Sequence, residues 1–294
     1  MESPVQTLKD LPREHDFFIG VDSDGCAFDS MEIKHKECFC PQFINHFDLQ
    51  AVSKFAREVW DFVNLYSKTR GCNRYLAVLH ALDFLRDRRE VRERHVDIPE
   101  LQGLRDWVGR ESKLGIPALE QELKQKPDAD LERAYHWSLE VNQVIAKMVR
   151  NLPPFPYVEE SLQKMVEKAD TIVVSQTPFE ALEREWNEHD IAKYVRAIAG
   201  QEMGKKSEHI QYAADGKYDP EKILMIGDAP GDLKAARANG ALFYPINPGA
   251  EEESWKRFYE EALDKFFDGS YAGAYERELI DDFQGHLPES PPWK

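Results

Sequence analysis

The sequence predicts an α/β protein, a parallel sheet with helices on both faces, interrupted by an all-helical insertion. Three observations carry this. The apolar runs "FFIGV", "TIVV" and "ILMIG" are short and nearly unbroken, as strands buried on both faces are. From residue 157 onward such runs alternate with amphipathic stretches, the rhythm of β–α–β units. Residues 31–152 carry apolar side chains at helical spacing, and no convincing strand interrupts them.

Taken in order, residues 17–22 form the first strand, and "DSDGCAFDS" begins at its last residue. Helices are predicted over "PQFINHFDLQAVSKFAREVWDFVNLYSK", "RYLAVLHALDFLRD", "PALEQELKQK" and "DLERAYHWSLEVNQVIAKMVRNL". The proline-rich "NLPPFPYV" closes this block and reads as a linker. After it come the helix "SLQKMVEKA", the strand "DTIVVSQT" and the helix "PFEALEREWNEHD". Thr177 offers that helix an N-cap, Pro178 fits its first position, and Glu180 completes a capping box. Then follow a short strand "VRAIAGQ", a helix "KSEHIQYAA", a strand "KILMIGD", a helix "PGDLKAARANG" and a last strand "ALFYPIN". The expected domains are a core of residues 1–30 and 153–250, a helical insertion over 31–152, and a C-terminal extension, 251–294, packing on the core. His189 and His209 read as ordinary surface residues of helices.

The 294 residues include 42% hydrophobic ones, enough for a globular interior, and no apolar run reaches the ~18 residues of a membrane span. The formal net charge of −16 argues against nucleic acid or an anionic membrane as partner, since either needs a basic face. An anionic ligand would need local cations to overcome this field. The N-terminus lacks the basic start and apolar stretch of a signal peptide, so a cytoplasmic location is expected. Four cysteines include the C-x-C of "ECFC", with His35 and His46 nearby. Paired C-x-x-C spacing is absent, and reduced thiols are expected rather than a zinc site.

Parallel sheets gather functional loops at the C-terminal ends of their strands. There the sequence puts Asp22 and Asp24 after the first strand, and Ser175, Gln176 and Thr177 after the second. Lys205 and Lys206 follow the third, and Asp228 and Asp232 the fourth. Carboxylates clustered at one edge repel unless they hold a cation. Magnesium suits such a set, since it prefers oxygen ligands, keeps waters and pairs with phosphate. A lysine and a serine hydroxyl beside it suit a phosphoryl group. One aspartate would then attack phosphorus, and the other would protonate the departing oxygen.

"IGVDSDG", "IVVSQT", the "GKK" of 204–206 and "ILMIGDAPGD" resemble the four ordered motifs of the haloacid dehalogenase superfamily. The likeness covers about 17–30 and 157–247 and agrees in motif order, spacing and strand context. It implies a Rossmann-like sheet with Asp22 as nucleophile. It implies Asp24 as acid/base, its main-chain carbonyl also a magnesium ligand. Ser175 would bind the phosphoryl group, Asp228 would ligate magnesium, and Asp232 would support it directly or through water. The third-motif lysine is Lys205 or Lys206, with Lys206 favoured because a helix begins there. The family often has Thr or Val where Cys26 stands, and the usual Lys-Pro of the third motif is absent.

Dehalogenases of this superfamily lack an aspartate at the position of Asp24, so Asp24 argues for phosphoryl transfer. The helical insertion sits where the family places an α-helical cap, which can exclude water and read the leaving group. Lys34, His35 and Lys36, and Lys68, Arg70 and Arg74 in "SKTRGCNRY", are its basic segments. Gln176, Lys34 and Arg70 are candidate substrate contacts. The expected function is a magnesium-dependent phosphohydrolase acting on a small phosphorylated metabolite, such as a sugar or polyol phosphate. The rivals are a phosphosugar mutase, a phosphonatase using Lys34, Lys36 or Lys54 of the insertion as Schiff-base former, and a catalytically silent binding protein. Oligomeric state is not legible.

Overall fold

The computed structural model describes residues 4–294. Its sheet has five strands: β1 Phe17–Val21, β2 Ala169–Val174, β3 Ala197–Ala199, β4 Ile223–Gly227 and β5 Leu242–Pro245. Their order is β3-β2-β1-β4-β5, all parallel, so this is the expected Rossmann-like α/β sheet. β1 is the middle strand. Val21 lies in register with Val173 of β2 on one side and with Ile226 of β4 on the other. The chain winds outward through β2 and β3, then returns to the far side of β1 for β4. That reversal opens a crevice at the C-terminal ends of β1 and β4, where such sheets place their chemistry. Helices Lys206–Ala214 and Pro230–Ala238 share one apolar layer with Phe18, Val174 and Met225. Helix Val158–Met165 and Trp186 of helix Phe179–Glu188 share another with Ile19, Val173 and Ile226.

The chain divides into two compact units, one of residues 1–31 and 150–287, the other of 32–149 and 288–294. The second contains helices and no strand. Its core is aromatic: Phe43 and Trp60 have ring centroids 4.7 Å apart, and Trp137 packs edge-on to Trp60. Residues 251–287 belong to the sheet unit. Glu276 of helix Ala274–Gly285 accepts the backbone N–H of Phe243 at 2.9 Å, and Trp255 donates its indole N–H to the Cys26 carbonyl at 2.7 Å. The last seven residues depart from the expected extension and group with the helical unit. There Arg88 stacks between Phe55 and Trp293, 4.6 Å from each ring centroid. Apolar spacing does not reveal this, because a lone Trp after prolines has no period.

At the opposite end of the sheet from the crevice, Asp170 at the start of β2 is fully buried. It accepts the Tyr218 hydroxyl at 2.6 Å and the backbone N–H groups of Glu14 and His15 at 2.9 Å, and it pairs with Arg196. Burial alone would raise its pKa, but the Tyr218 hydroxyl and the two N–H donors outweigh it and hold the group down at about 2. A depressed folded-state pKa adds stability above the unfolded value near 4, which is lost as pH falls toward about 2. Asp170→Asn is therefore expected to lower stability by about 2 kcal/mol at neutral pH and by much less near pH 2. Urea melts across that range test it, and a pH-independent difference would count against the linkage.

Candidate active site

The crevice is lined by the ends of β1 and β4 and by the turn before helix Lys206–Ala214. Asp22 is the first residue past β1, and its N–H donates to the Ile226 carbonyl at 3.0 Å, continuing the sheet. The chain then turns sharply. The N–H groups of Cys26, Ala27 and Phe28 all point to the Ser23 carbonyl, and Gly25 takes φ 75°, a left-handed value that glycine adopts without strain. Asp228 follows β4 directly. Asp232 sits in the first turn of helix Pro230–Ala238, where its Oδ2 accepts the Ala229 N–H at 3.0 Å. Gly227 makes this possible, because a Cβ there would fall 2.4 Å from the Asp232 Cβ.

Asp22, Asp228 and Asp232 are all buried and can each offer a carboxylate oxygen within 4.8 Å of the others. Lys206 reaches into this cluster, its Nζ 2.7 Å from Asp22 Oδ2 and 2.6 Å from Asp232 Oδ1. Burial pushes the Asp22 carboxyl well above its ordinary range; Lys206 pulls it down, while Asp232 and Asp228 push it up again. Asp232 is raised as well, again chiefly by burial. Burial would lower Lys206, but the carboxylates of Asp22, Asp232 and Asp228 more than reverse this, so the ammonium stays charged. Three carboxylates against one ammonium leave net negative charge in a buried place. Among the described residues this is the one cluster of His, Cys, Asp or Glu side chains suited to a metal. Hard oxygen donors with excess negative charge fit a divalent cation such as magnesium.

The two neighbouring lysines lie differently. Lys205 is exposed and caps the helix through its backbone N–H, which donates to Glu208 at 2.7 Å. Lys206, one residue on, turns inward. Ser175 is buried, and its Oγ accepts the Thr177 N–H at 3.2 Å, leaving the hydroxyl hydrogen to donate elsewhere. Gln176 is exposed, and its amide is tied to the Gly204 carbonyl at 2.8 Å. Asp24 is half-buried. Its carboxylate accepts the Ser30 hydroxyl on one oxygen and the Thr177 hydroxyl, at 2.6 Å, on the other.

Several expectations change. Thr177 does not cap the next helix, which starts at Phe179 with Pro178 as N-cap and no side-chain cap bond. Its hydroxyl goes to Asp24 instead, a tertiary contact that no local motif announces. His209 is fully buried rather than at the surface, and burial lowers its pKa to about 4, which keeps it neutral near pH 7. Arg70 belongs to the helical unit, where it is buried and donates to the Leu65 carbonyl at 2.8 Å, fastening its own loop. Lys34 opens a π-type turn, Lys34–Phe39, in that unit. Lys36 pairs with Glu32; burial would lower its pKa, but the Glu32 carboxylate raises it overall, which suits no amine nucleophile. All four cysteines are free thiols, and burial with Asp22 nearby keeps Cys26 protonated.

The fold and the crevice define a Rossmann-like α/β protein with a buried carboxylate cluster at its strand ends. The family of haloacid dehalogenase-like hydrolases matches residues 90–245, more than half of the chain, and the chain belongs to that family. The segment bearing Asp22 and Asp24 precedes the matched stretch. Similar solved structures include a hydrolase from Pseudomonas syringae, at 16% identity and TM-score 0.45, covering 82% of this chain and 90% of that one. A haloacid dehalogenase-like family protein from Streptococcus pneumoniae is 15% identical with TM-score 0.44, covering 82% and 90%. A haloacid dehalogenase-superfamily hydrolase of subfamily IA from Geobacter sulfurreducens is 12% identical with TM-score 0.40, covering 79% and 88%. Curated protein sequences give no significant match. Among the described residues no helix is long and apolar enough to cross a membrane.

Proposed function

We propose that the chain is a magnesium-dependent phosphohydrolase acting on a small phosphorylated metabolite through an aspartyl-phosphate. The observation that carries this reading is Lys206, which bridges Asp22 and Asp232 inside a buried carboxylate cluster at the strand ends. Asp22, Asp228 and the main-chain carbonyl of Asp24 are the residues that would hold magnesium. Bound there, the ion supplies positive charge to the phosphoryl oxygens and to Asp22. Asp232 gives one oxygen to Lys206 and the other to the Ala229 N–H, so it holds the lysine and would support the metal directly or through water.

In the first step an Asp22 oxygen bonds to phosphorus, the bond from phosphorus to the leaving oxygen breaks, and the Asp24 carboxyl proton passes to that oxygen. In the second, Asp24 takes a proton from water, the water oxygen bonds to phosphorus, and the Asp22–phosphorus linkage breaks to release phosphate. The Ser175 hydroxyl and the Lys206 ammonium neutralise charge on the transferring group. Cys26, the cysteine of the sheet unit, is pushed up by burial and offers no competing thiolate.

The test is phosphate release from a panel of sugar and polyol phosphates, with magnesium, with chelator, and with Asp22→Asn. Release that needs both magnesium and Asp22 is the expected result. Release that survives Asp22→Asn would sink the mechanism, and conversion of a sugar phosphate to its isomer without free phosphate would favour a mutase.

A further inference from the structure

We propose that Thr177 is a positioning residue for Asp24, holding its carboxyl group in line with the leaving oxygen; this rests on the phosphohydrolase reading above. The loop between the two aspartates is gripped from one side. Ser23 is fully buried, and its Oγ accepts the Trp186 indole N–H at 3.0 Å and donates to Glu185 Oε2 at 3.2 Å. Both partners belong to helix Phe179–Glu188, and Trp186 is itself fully buried. Just ahead of that helix, Thr177 Oγ1 donates to Asp24 Oδ2 at 2.6 Å, while the Thr177 N–H donates to Ser175 Oγ at 3.2 Å. The turn after β2 and the helix that follows thus hold Ser23 and Asp24, adjacent residues of the catalytic loop.

The contact comes at a local cost. A threonine just before a helix ordinarily caps it, yet this helix has no side-chain cap. With the Ser30 hydroxyl on the other oxygen, rotation of the Asp24 carboxyl group would break bonds at both. A hydroxyl also suits both forms that the acid/base passes through, since it donates to a carboxylate and accepts from a carboxylic acid. The Thr177 side chain meets Asp24 at its carboxylate, not at the main-chain carbonyl that would hold magnesium. Its effect on rate therefore runs through the orientation of Asp24, and it should matter most when the leaving oxygen needs a proton.

The experiment compares Thr177→Val and Thr177→Ser with the wild-type enzyme in the first turnover, with magnesium. The substrates are 4-nitrophenyl phosphate, whose leaving group departs without protonation, and the sugar phosphate cleaved fastest in the panel above. Thr177→Val is expected to slow sugar phosphate cleavage by about 10- to 100-fold, a loss at least tenfold greater than that on 4-nitrophenyl phosphate. KM should stay near wild type, and Thr177→Ser should restore most of the rate. A merely structural role would slow both substrates alike, and that result, or no loss at all, overturns the proposal. Wild-type protein that releases nothing from either compound in an Asp22-dependent way removes the underlying reading instead, and this inference with it.

Discussion

Lys206→Met is expected to lower kcat by about 10³-fold at saturating magnesium and to destabilise the metal-free protein by about 3 kcal/mol. Both effects follow from one position. The ammonium lies 2.7 Å from Asp22 and 2.6 Å from Asp232, both buried, and it is the cation paired to them. Without it the remaining carboxylates stand unneutralised away from water, and they must take up protons or open the crevice. Magnesium should restore much of the stability, because it meets the same excess charge. It should restore little of the rate, because Asp232 would no longer hold a positive group beside Asp22. Lys205→Met is the control. That side chain is exposed, so near wild-type rate and stability are expected. Equal losses in the two variants would mean that the inward lysine has no special part.

The second large effect is on stability rather than rate. Asp22→Asn abolishes the proposed chemistry, yet in the presence of chelator it should melt at a higher temperature than the wild-type protein. Burial, offset in part by Lys206, raises the Asp22 pKa well above its unfolded value near 3.8. Between those two values the folded state binds more protons than the unfolded one, so stability falls as pH rises through the window. Above the folded pKa the whole penalty is present. Asparagine keeps the shape, removes the charge, and leaves Lys206 its bond to Asp232. Magnesium should raise the wild-type melting temperature far more than that of Asp22→Asn, because the variant has lost a charged ligand. A wild-type protein that melts above the variant in chelator would mean that the Asp22–Lys206 pair outweighs the burial penalty.

The contrast between a costly Asp22 and a stabilising Asp170 is physical. Both are buried aspartates in the sheet unit. Asp170 is met by a tyrosine hydroxyl, two backbone N–H groups and an arginine, so it is lowered to about 2. Asp22 is raised chiefly by burial, which one lysine set against two further carboxylates does not offset. Stabilising interactions at the crevice are left incomplete where a charged substrate and cation would complete them.

The sheet was readable residue by residue because buried parallel strands must be apolar on both faces, which leaves unbroken runs such as "TIVV" and "ILMIG". The aspartates were readable for a related reason. A carboxylate directly after such a buried run is costly unless something cationic meets it, and two of them, Asp22 and Asp228, stand at strand ends that a parallel sheet brings to one edge. The helical insertion announced itself by its period. These are local properties, carried by residues near one another along the chain. Tertiary structure alone decided which lysine turns inward, since Lys205 and Lys206 differ only in where they fall on the first turn of their helix. It decided that Thr177 serves Asp24 rather than the helix it precedes, that His209 is buried, and that Trp293 packs beside Arg88. Each of these is a choice between partners of similar local merit, and such a choice is made by whichever neighbour the packed chain brings within reach.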